Sequence, residues 1–384
     1  NFQKKTYKNF YLTNEYISKK IDDVRDIIIT KKNKKNENIK NLKILHITNL
    51  NERFDGRLHY NTGKRITNGF IRLGHNVLTF SDRDTISKNR AFTDISGIKT
   101  LNKRIINTHK NFKADLVVLG HADNITKETI SELKKINNCK ICQWFLDPLI
   151  KKGPDYEKNK SRIKNLHNLI DATFLTTDPS AIKFNIKNAY FIPNPCDRSF
   201  ETLDNFKEKK NKDLFFAMSH GVHRGILKGG KSDDREKFLN DLRNKLPLIK
   251  FDIFGMDEIQ PIWGEKFIRT ISNYNMALNL SRGKPAKFYS SDRIVQLIGN
   301  GLLTFIDKKT GLNKILSSKG VVYYKNLNDL AKKIIYYNNN YKELKKKASY
   351  GKNEYFRKFN SNIVSKYIIE NTLEIKSNIK YSWD

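Results

Sequence analysis

The sequence predicts an α/β protein: two Rossmann-like, doubly wound parallel-sheet domains facing a shared cleft, with a helical carboxy-terminal tail. Three observations predict it. Short apolar runs without alternation, such as LKILHITNL (42–50) and LFFAMSHG (214–221), mark strands buried on both faces. These runs alternate with helix-like segments along the chain. A stretch with two prolines and a run of charge, PNPCDRSFETLDNFKEKKNKD (193–213), divides them into two series.

Residues 1–40 read as a helical preamble, EYISKKIDDVRDIII, followed by the solvated linker TKKNKKNENIKN. The first domain spans 41–195. Its strands are expected in LKILHITNL, HNVLTFSDRD, ADLVVLGHAD, CKICQWFLDP, DATFLTTDP and NAYFIPNPCD, with helices in TGKRITNGFIRLG, around 100–112, in ITKETISELKKIN with a Thr N-cap, and in KSRIKNLHNLI. The second domain spans 214–345. It holds a Gly- and base-rich loop, the helix DDREKFLNDLRNKL, and strands in IKFDIFGM, NYNMALNLS, LLTFID and GVVYY, and residues 346–384 close the chain as helices.

Composition narrows the function classes. At 384 residues with 38% apolar and 11% aromatic content, the chain folds as two domains. No run of about 18 apolar residues is present, so no membrane span is expected. The first residues, NFQKKTYKNFYLTNEY, lack the apolar core of a secretory signal and carry no initiator Met, which leaves room for residues before Asn1. Three cysteines suit a reducing cytoplasm; Cys139 and Cys142 form C-x-x-C on a strand, which points them to opposite faces and argues against zinc. The formal net charge of +33 is spread over lysine clusters rather than an arginine stripe. It reads first as compositional bias, next as peripheral contact with an anionic membrane at its inner face, and last as nucleic-acid binding, which is not expected.

Ligands of open parallel sheets bind beyond the carboxyl ends of the strands. In the second domain, SHGVHRGILKGGKSDDR (219–235) runs into a helix. Gly221, Gly229 and Gly230 open the backbone, and Arg224 and Lys228 supply charge, making a diphosphate cradle. Further on, SRGKPAKFYSSDRIVQLIGNG (281–301) places Ser290, Ser291 and Asp292 as a cap before a short helix. Arg293 then offers a forked cation to phosphate, and Gln296, on the same helix face, offers an amide to ribose hydroxyls.

The segment DRIVQLIGNGLLTF resembles the R-I-x-E-x-x-x-x-G segment of GT-B glycosyltransferases, whose Glu binds the nucleotide ribose. FDGRLHYNTGKRITNGFIRLGHNV, ADLVVLGHADNIT and CQWFLDP are similar to the acceptor half of the CgeB-like, family-1-type branch, and PNPCD resembles its interdomain connection; coverage is roughly residues 42 to 345. The resemblance implies a GT-B fold and transfer from a nucleoside-diphosphate sugar to a glycan or lipid-linked acceptor. The chain departs from the pattern at two places. Gln296 replaces the ribose-binding Glu, and Phe288 stands eight residues earlier, where many retaining members carry glutamate.

Direct attack needs a base from the first domain, and His121, Asp55 and Asp147, each after a strand, are the candidates in that order, with Asp123 placed to orient His121. D-x-D in SDRDT (81–85) reads as a cap or turn, so no metal and no cofactor is expected, the sugar nucleotide being a substrate. A sugar-nucleotide epimerase of the same shape and a non-catalytic basic binder are the alternatives.

Overall fold

A computed structural model describes residues 41–56, 59–153, 155–218, 222–223, 226–227 and 234–384; the expected preamble helix and linker lie outside these. The amino-terminal lobe is built from β1 (Lys43–Thr48), α1 (Thr62–Arg72), β2 (Asn76–Phe80), α2 (Asp82–Lys88), α3 (Ile98–Phe112), β3 (Leu116–Gly120), α4 (Lys127–Asn137), β4 (Lys140–Phe145), α5 (Tyr156–Leu166), β5 (Ala172–Leu175) and β6 (Ala189–Phe191). Its six strands are all parallel, in the order β2-β1-β3-β4-β5-β6. Strands β3 and β5 are buried along their whole length, which is why their sequences carry no alternation.

The carboxy-terminal lobe holds β7 (Lys212–Ala217), a hairpin of β8 (Val222–His223) and β9 (Ile226–Leu227), α6 (Asp234–Asn244), β10 (Phe251–Phe254), α7 (Gly264–Ile271), β11 (Tyr274–Asn279), α8 (Arg293–Gly299), β12 (Leu303–Asp307) and β13 (Val322–Tyr324). Its parallel sheet runs β10-β7-β11-β12-β13. Helices α9 (Leu327–Asn339), α10 (Tyr341–Phe359) and α11 (Ser361–Thr372) follow. Helix α7 is absent from the sequence-based expectation.

The chain does not end where its second sheet does. Helix α11 crosses back and packs against α1 of the first lobe. Gly69 permits this: a Cβ there would stand 2.2 Å from both Ser361 O and Ser365 Oγ. The Ser365 hydroxyl donates to Ile66 O at 2.9 Å. The connection 193–197 is tied to the same region. Cys196 N–H donates to Phe359 O, Ser361 N–H donates to Cys196 O, and the Tyr355 hydroxyl donates to Asn194 O. Arg72 of α1 forks onto Asp197 at 2.5 and 2.8 Å. Burial opposes the Asp197 charge, but Arg72 and Ser199 outweigh it and hold its carboxyl at about 2.

Two of the fully buried polar groups, His46 and Arg65, tie elements of this framework together. His46 on β1 links α1 to β4: its Nδ1–H donates to Thr67 Oγ1 at 2.8 Å, while Nε2 accepts from Trp144 Nε1–H at 3.0 Å. Burial lowers its pKa to about 3, so it serves as a neutral two-ended strut. Arg65 of α1 is fully excluded from water and meets Glu201, equally buried, at 2.5 Å. Its other arm reaches Asp292, at the start of α8 in the second lobe, at 3.3 Å. Burial works against the Arg65 charge, yet the two carboxylates prevail and raise its pKa above that of a free arginine.

Removing one partner of a buried ion pair strands the other in a medium that solvates it poorly. Arg65→Met is expected to cost about 3–5 kcal/mol, and Arg65→Met with Glu201→Leu to recover most of that, read from urea unfolding midpoints. Gly69→Val, which must push α11 away, is expected to cost about 1–3 kcal/mol by the same measurement.

Candidate active site between the lobes

Both sheets reverse their strand order at one point. In the first it lies between β1 and β3, in the second between β7 and β11, and loops leaving such strands diverge to leave a crevice. The loop after β1 carries Asn51 and Arg53, and that after β3 carries His121 and Asp123. The segment after β7 starts with Met218, and the loop after β11 leads through Ser281–Asp292 into α8.

The segments after β1, β7 and β11 meet in a pocket of about 360 Å³, lined on the first lobe by Asn51, Tyr60 and Asn61. On the second lobe one wall is apolar, with Met218, Ile262, Trp263 and Phe267, and the other polar, with Ser291, Asp292, Arg293 and Gln296. The lobes touch around it. The Tyr60 hydroxyl donates to Glu265 at 2.8 Å and the Thr62 hydroxyl to Asp292 Oδ1 at 2.7 Å. Lys287 pairs with Asp178 at 2.7 Å.

Four of the expected donor-binding residues sit at or beside this pocket. Arg293 lines it; one arm donates to Leu280 O at 3.0 Å, and the guanidinium lies 4.8 Å over the Phe216 ring, which fixes the charge at the wall. Gln296 lines it too, its amide donating to Asp292 Oδ2 at 3.3 Å. The expected Ser-Ser-Asp cap is not what these residues make. No side chain caps α8, and Asp292 is instead the acceptor for Thr62, Arg65 and Gln296. Ser290 faces inward: its hydroxyl accepts from Asn279 and donates to Ser291 O, so it is unavailable to a ligand. Ser291 lines the pocket, and its buried hydroxyl has no hydrogen-bond partner among the described residues. Gly221, Arg224, Lys228, Gly229 and Gly230 lie outside the described residues.

The three base candidates separate sharply. His121 adopts a left-handed backbone (φ 52°) after Gly120 and stacks on Phe145 with ring centroids 4.3 Å apart. Its Nε2 accepts the Leu146 N–H at 2.8 Å, which leaves the proton on Nδ1, 4.0 Å from Asp147 Oδ2. Burial lowers its pKa to about 4. In this geometry the imidazole is neutral with its Nε2 lone pair engaged, so His121 presents Nδ1–H as a hydrogen-bond donor. Asp123 does not orient it; that carboxylate is held by Arg162 at 2.9 Å and Arg83 at 3.2 Å.

Asp55 is exposed at the left-handed end of the turn Glu52–Phe54 and does not line the pocket. Asp147 stands at the lobe edge beside His121 and 3.7 Å from Arg162, and its surroundings raise its pKa, burial foremost. Neither His121 nor Asp147 lines the pocket. In the second lobe burial foremost raises the Tyr289 phenol, with Asp147 adding to this and Arg293 and Arg235 opposing it.

Of D-x-D, Asp84 receives the Glu52 and Arg53 N–H groups and the Ser81 hydroxyl, bracing the turn after β1. The Asp82 carboxylate is buried without a hydrogen-bond partner among the described residues, and burial foremost pushes it up to about 6. Among the described residues no group of three His, Cys, Asp or Glu is placed to hold a metal, and no helix is long and apolar enough to cross a membrane. Phe288, in place of the family's glutamate, packs on Phe191 rather than lining the pocket.

Sequence reasoning missed Asn51, Tyr60, Ile262 and Trp263. The only signal for the last two is an apolar IW pair in the loop before α7, which the unrecognised helix concealed. A larger groove of about 980 Å³ runs along β10 and α7, but most of its charges are paired, Lys212 with Asp252 and Arg269 with Glu265, leaving Lys266.

Comparison with known proteins bears on this site. Residues 235–370 match the model of a family described as glycosyl transferase-like. No curated protein is similar enough to match. Among solved structures, sucrose-phosphate synthase from Thermosynechococcus elongatus aligns with a TM-score of 0.56 at 10% identity, covering 87% of this chain and 99% of that one. HepE (Alr3699) of Anabaena, solved with UDP and glucose, gives 0.56 at 10% identity over 87% and 100%. A glycosyltransferase from Rickettsia africae gives 0.52 at 14% over 88% and 100%. At such identities the likeness is one of fold, and the two sheets with their facing switch points are that fold. The chain has the GT-B fold, and its residues 235–370 are similar to a glycosyl transferase-like family.

Proposed function

We propose that this protein transfers a sugar from a nucleoside diphosphate to the hydroxyl of a glycan or lipid-linked acceptor, without a metal. The observation that carries the reading is the inter-lobe pocket: an apolar wall for a base faces a polar wall where Arg293, fixed over Phe216, begins a helix. A nucleoside ring packs against Ile262 and Trp263, ribose hydroxyls meet Gln296, and the diphosphate meets Arg293. HepE of Anabaena holds UDP and glucose in the same fold, which supports a uridine donor here.

In the reaction the acceptor oxygen bonds to the anomeric carbon, and the bond from that carbon to the diphosphate oxygen breaks. The diphosphate leaves with the electron pair, and its charge is met by Arg293 and, on this reading, by Arg224 and Lys228. Asp147 takes the acceptor proton. Of the three candidates it is the carboxylate that stands beside both His121, at 4.0 Å, and Arg162, at 3.7 Å, with its carboxyl raised. His121 donates Nδ1–H to a hydroxyl or to Asp147 and positions without titrating.

UDP, GDP and CMP tested by thermal shift identify the base, and saturable protection by one is expected. Arg293→Ala is expected to weaken that nucleotide at least tenfold, Arg293→Lys less so, because only the arginine fork spans two oxygens; equal affinity in all three forms sinks the donor assignment. Turnover is expected to survive chelator.

Asp147→Asn is expected to lower kcat at least a hundredfold with nucleotide affinity unchanged. Because the Asp147 carboxyl is raised, the acid limb of wild-type kcat/KM is expected above the ordinary carboxylate range near 4, activity falling as pH drops through it. His121→Ala is expected to leave that limb in place; its disappearance returns the proton to the imidazole.

A further inference from the structure

A second pocket opens on the amino-terminal lobe. It has a volume of about 440 Å³ and is lined by Arg53, Arg83, Arg90 and Arg162, with Ile86, Ser87, Asn124 and a single carboxylate, Asp123. We propose that this arginine pocket binds a phosphate group carried by the acceptor. The inference rests on the glycosyltransferase reading and specifies its acceptor.

The arrangement is built rather than incidental. Arg83 and Arg162, from α2 and α5, converge on the same oxygen of Asp123, at 3.2 and 2.9 Å, so the carboxylate holds two guanidinium groups side by side. Arg53 is locked into the same cluster by its Nη1, which donates to Arg83 O at 2.8 Å. Its ion pair with Asp84 is long, at 3.9 Å, and that carboxylate is already occupied by backbone N–H groups. Arg90 is exposed at the end of the α2 segment and forms no ion pair among the described residues. Three held cations and the exposed Arg90 against one lining carboxylate leave an excess of positive charge in a concave site. Guanidinium groups match phosphate oxygens with paired N–H donors, and their charge does not depend on pH.

The pocket is also in the right place. Asn51, at the donor pocket, and Arg53, at the arginine pocket, flank a single residue on one 3-10 turn. Arg162 touches both Asp123 and Asp147, the group assigned the acceptor proton. A phosphate seated among the arginines therefore lies one side-chain length from the reacting edge. It is distinct from the donor diphosphate, which belongs to the other lobe. Beyond Arg90 the loop presents Phe92, wholly exposed, and Ile95, 78% exposed. An apolar tip beside a phosphate site is the arrangement that a phosphate displayed on a lipid surface would use.

The test uses the full chain with UDP present at saturation, so that the donor pocket is filled. Inorganic phosphate and glucose 1-phosphate are titrated by calorimetry into wild type, Arg90→Gln and Arg83→Gln/Arg90→Gln. Saturable binding in wild type is expected, weakened severalfold in the single variant and at least tenfold in the double. UDP affinity is measured separately and is expected to be unchanged. No saturable phosphate binding, or equal affinity in all three proteins, overturns the proposal. Loss of UDP binding with phosphate binding intact overturns the donor reading instead.

A second arm finds the source of the phosphate. Wild type, the double variant and Phe92→Ser/Ile95→Ser are sedimented with vesicles of phosphatidylcholine containing phosphatidic acid, or phosphatidylserine at matched charge. A preference for phosphatidic acid lost in both variants assigns a lipid-borne phosphate. Soluble phosphate binding that is sensitive to the arginines, with no vesicle preference, assigns a phosphate on a soluble glycan. Vesicle binding equal for both lipids and all proteins reflects only the +33 net charge and, with no soluble binding, counts against the pocket.

Discussion

The structure depends on one buried cation. Arg65 lies under α1, cut off from water, and an isolated charge there is untenable. It is tolerable because Glu201 supplies one carboxylate from the connection between lobes and Asp292 a second from the far lobe. The same contacts dictate how the lobes meet. Asp292 immediately precedes Arg293, and it also accepts from Thr62 and Gln296. The position of the inter-lobe pocket's polar wall is thus set from the opposite lobe, by an ion pair that a hydrophobic substitute could match for stability but not for direction.

That dependence explains why the carboxy-terminal helices return to the first lobe. A connection such as 193–213 would permit the lobes to drift if it were the sole link. Helix α11 docks on α1 through Gly69, Ser361 and Ser365, on the element that bears Arg65 and Arg72. The ion pairs Arg65–Glu201 and Arg72–Asp197, which reach the connection from the first lobe, both leave from α1, and Lys352 of α10 holds Asp204 from the other side. One helix therefore anchors the connection, the returning helix and the start of α8, and relative movement of the lobes must be accommodated around it.

Much of the fold was legible because parallel strands announce themselves. ADLVVLG and NYNMALN have no polar face, since both faces are covered, and the reading of strands from such runs agrees with the two sheets. Helix α7 was not legible, because GEKFIRTI is short, begins with glycine and lacks a capping side chain. The site was legible only as loops. Arg65 in GKRITNGF reads as an ordinary surface arginine, for nothing local shows that Glu201 and Asp292 close over it. His121 reads as a base because sequence specifies an imidazole but not the Leu146 N–H that engages its lone pair. Asp123 reads as its partner because it is near in sequence, whereas Arg83 and Arg162 are nearer in space.

Charge offers a way to separate chemistry from composition. Lysines such as Lys88, Lys135 and Lys160 sit in exposed pairs with Glu52, Glu132 and Glu157, where they contribute little and any basic side chain would serve. Arginines instead occupy positions where a planar fork is required: Arg65 between two carboxylates, Arg72 on Asp197, Arg293 over an aromatic ring, and Arg83 with Arg162 on one oxygen. A lysine at any of these would present a point charge on a flexible stem and lose the second contact. The arginines that line pockets, Arg293 in one lobe and Arg53, Arg83, Arg90 and Arg162 in the other, are therefore where charge and ligand geometry coincide.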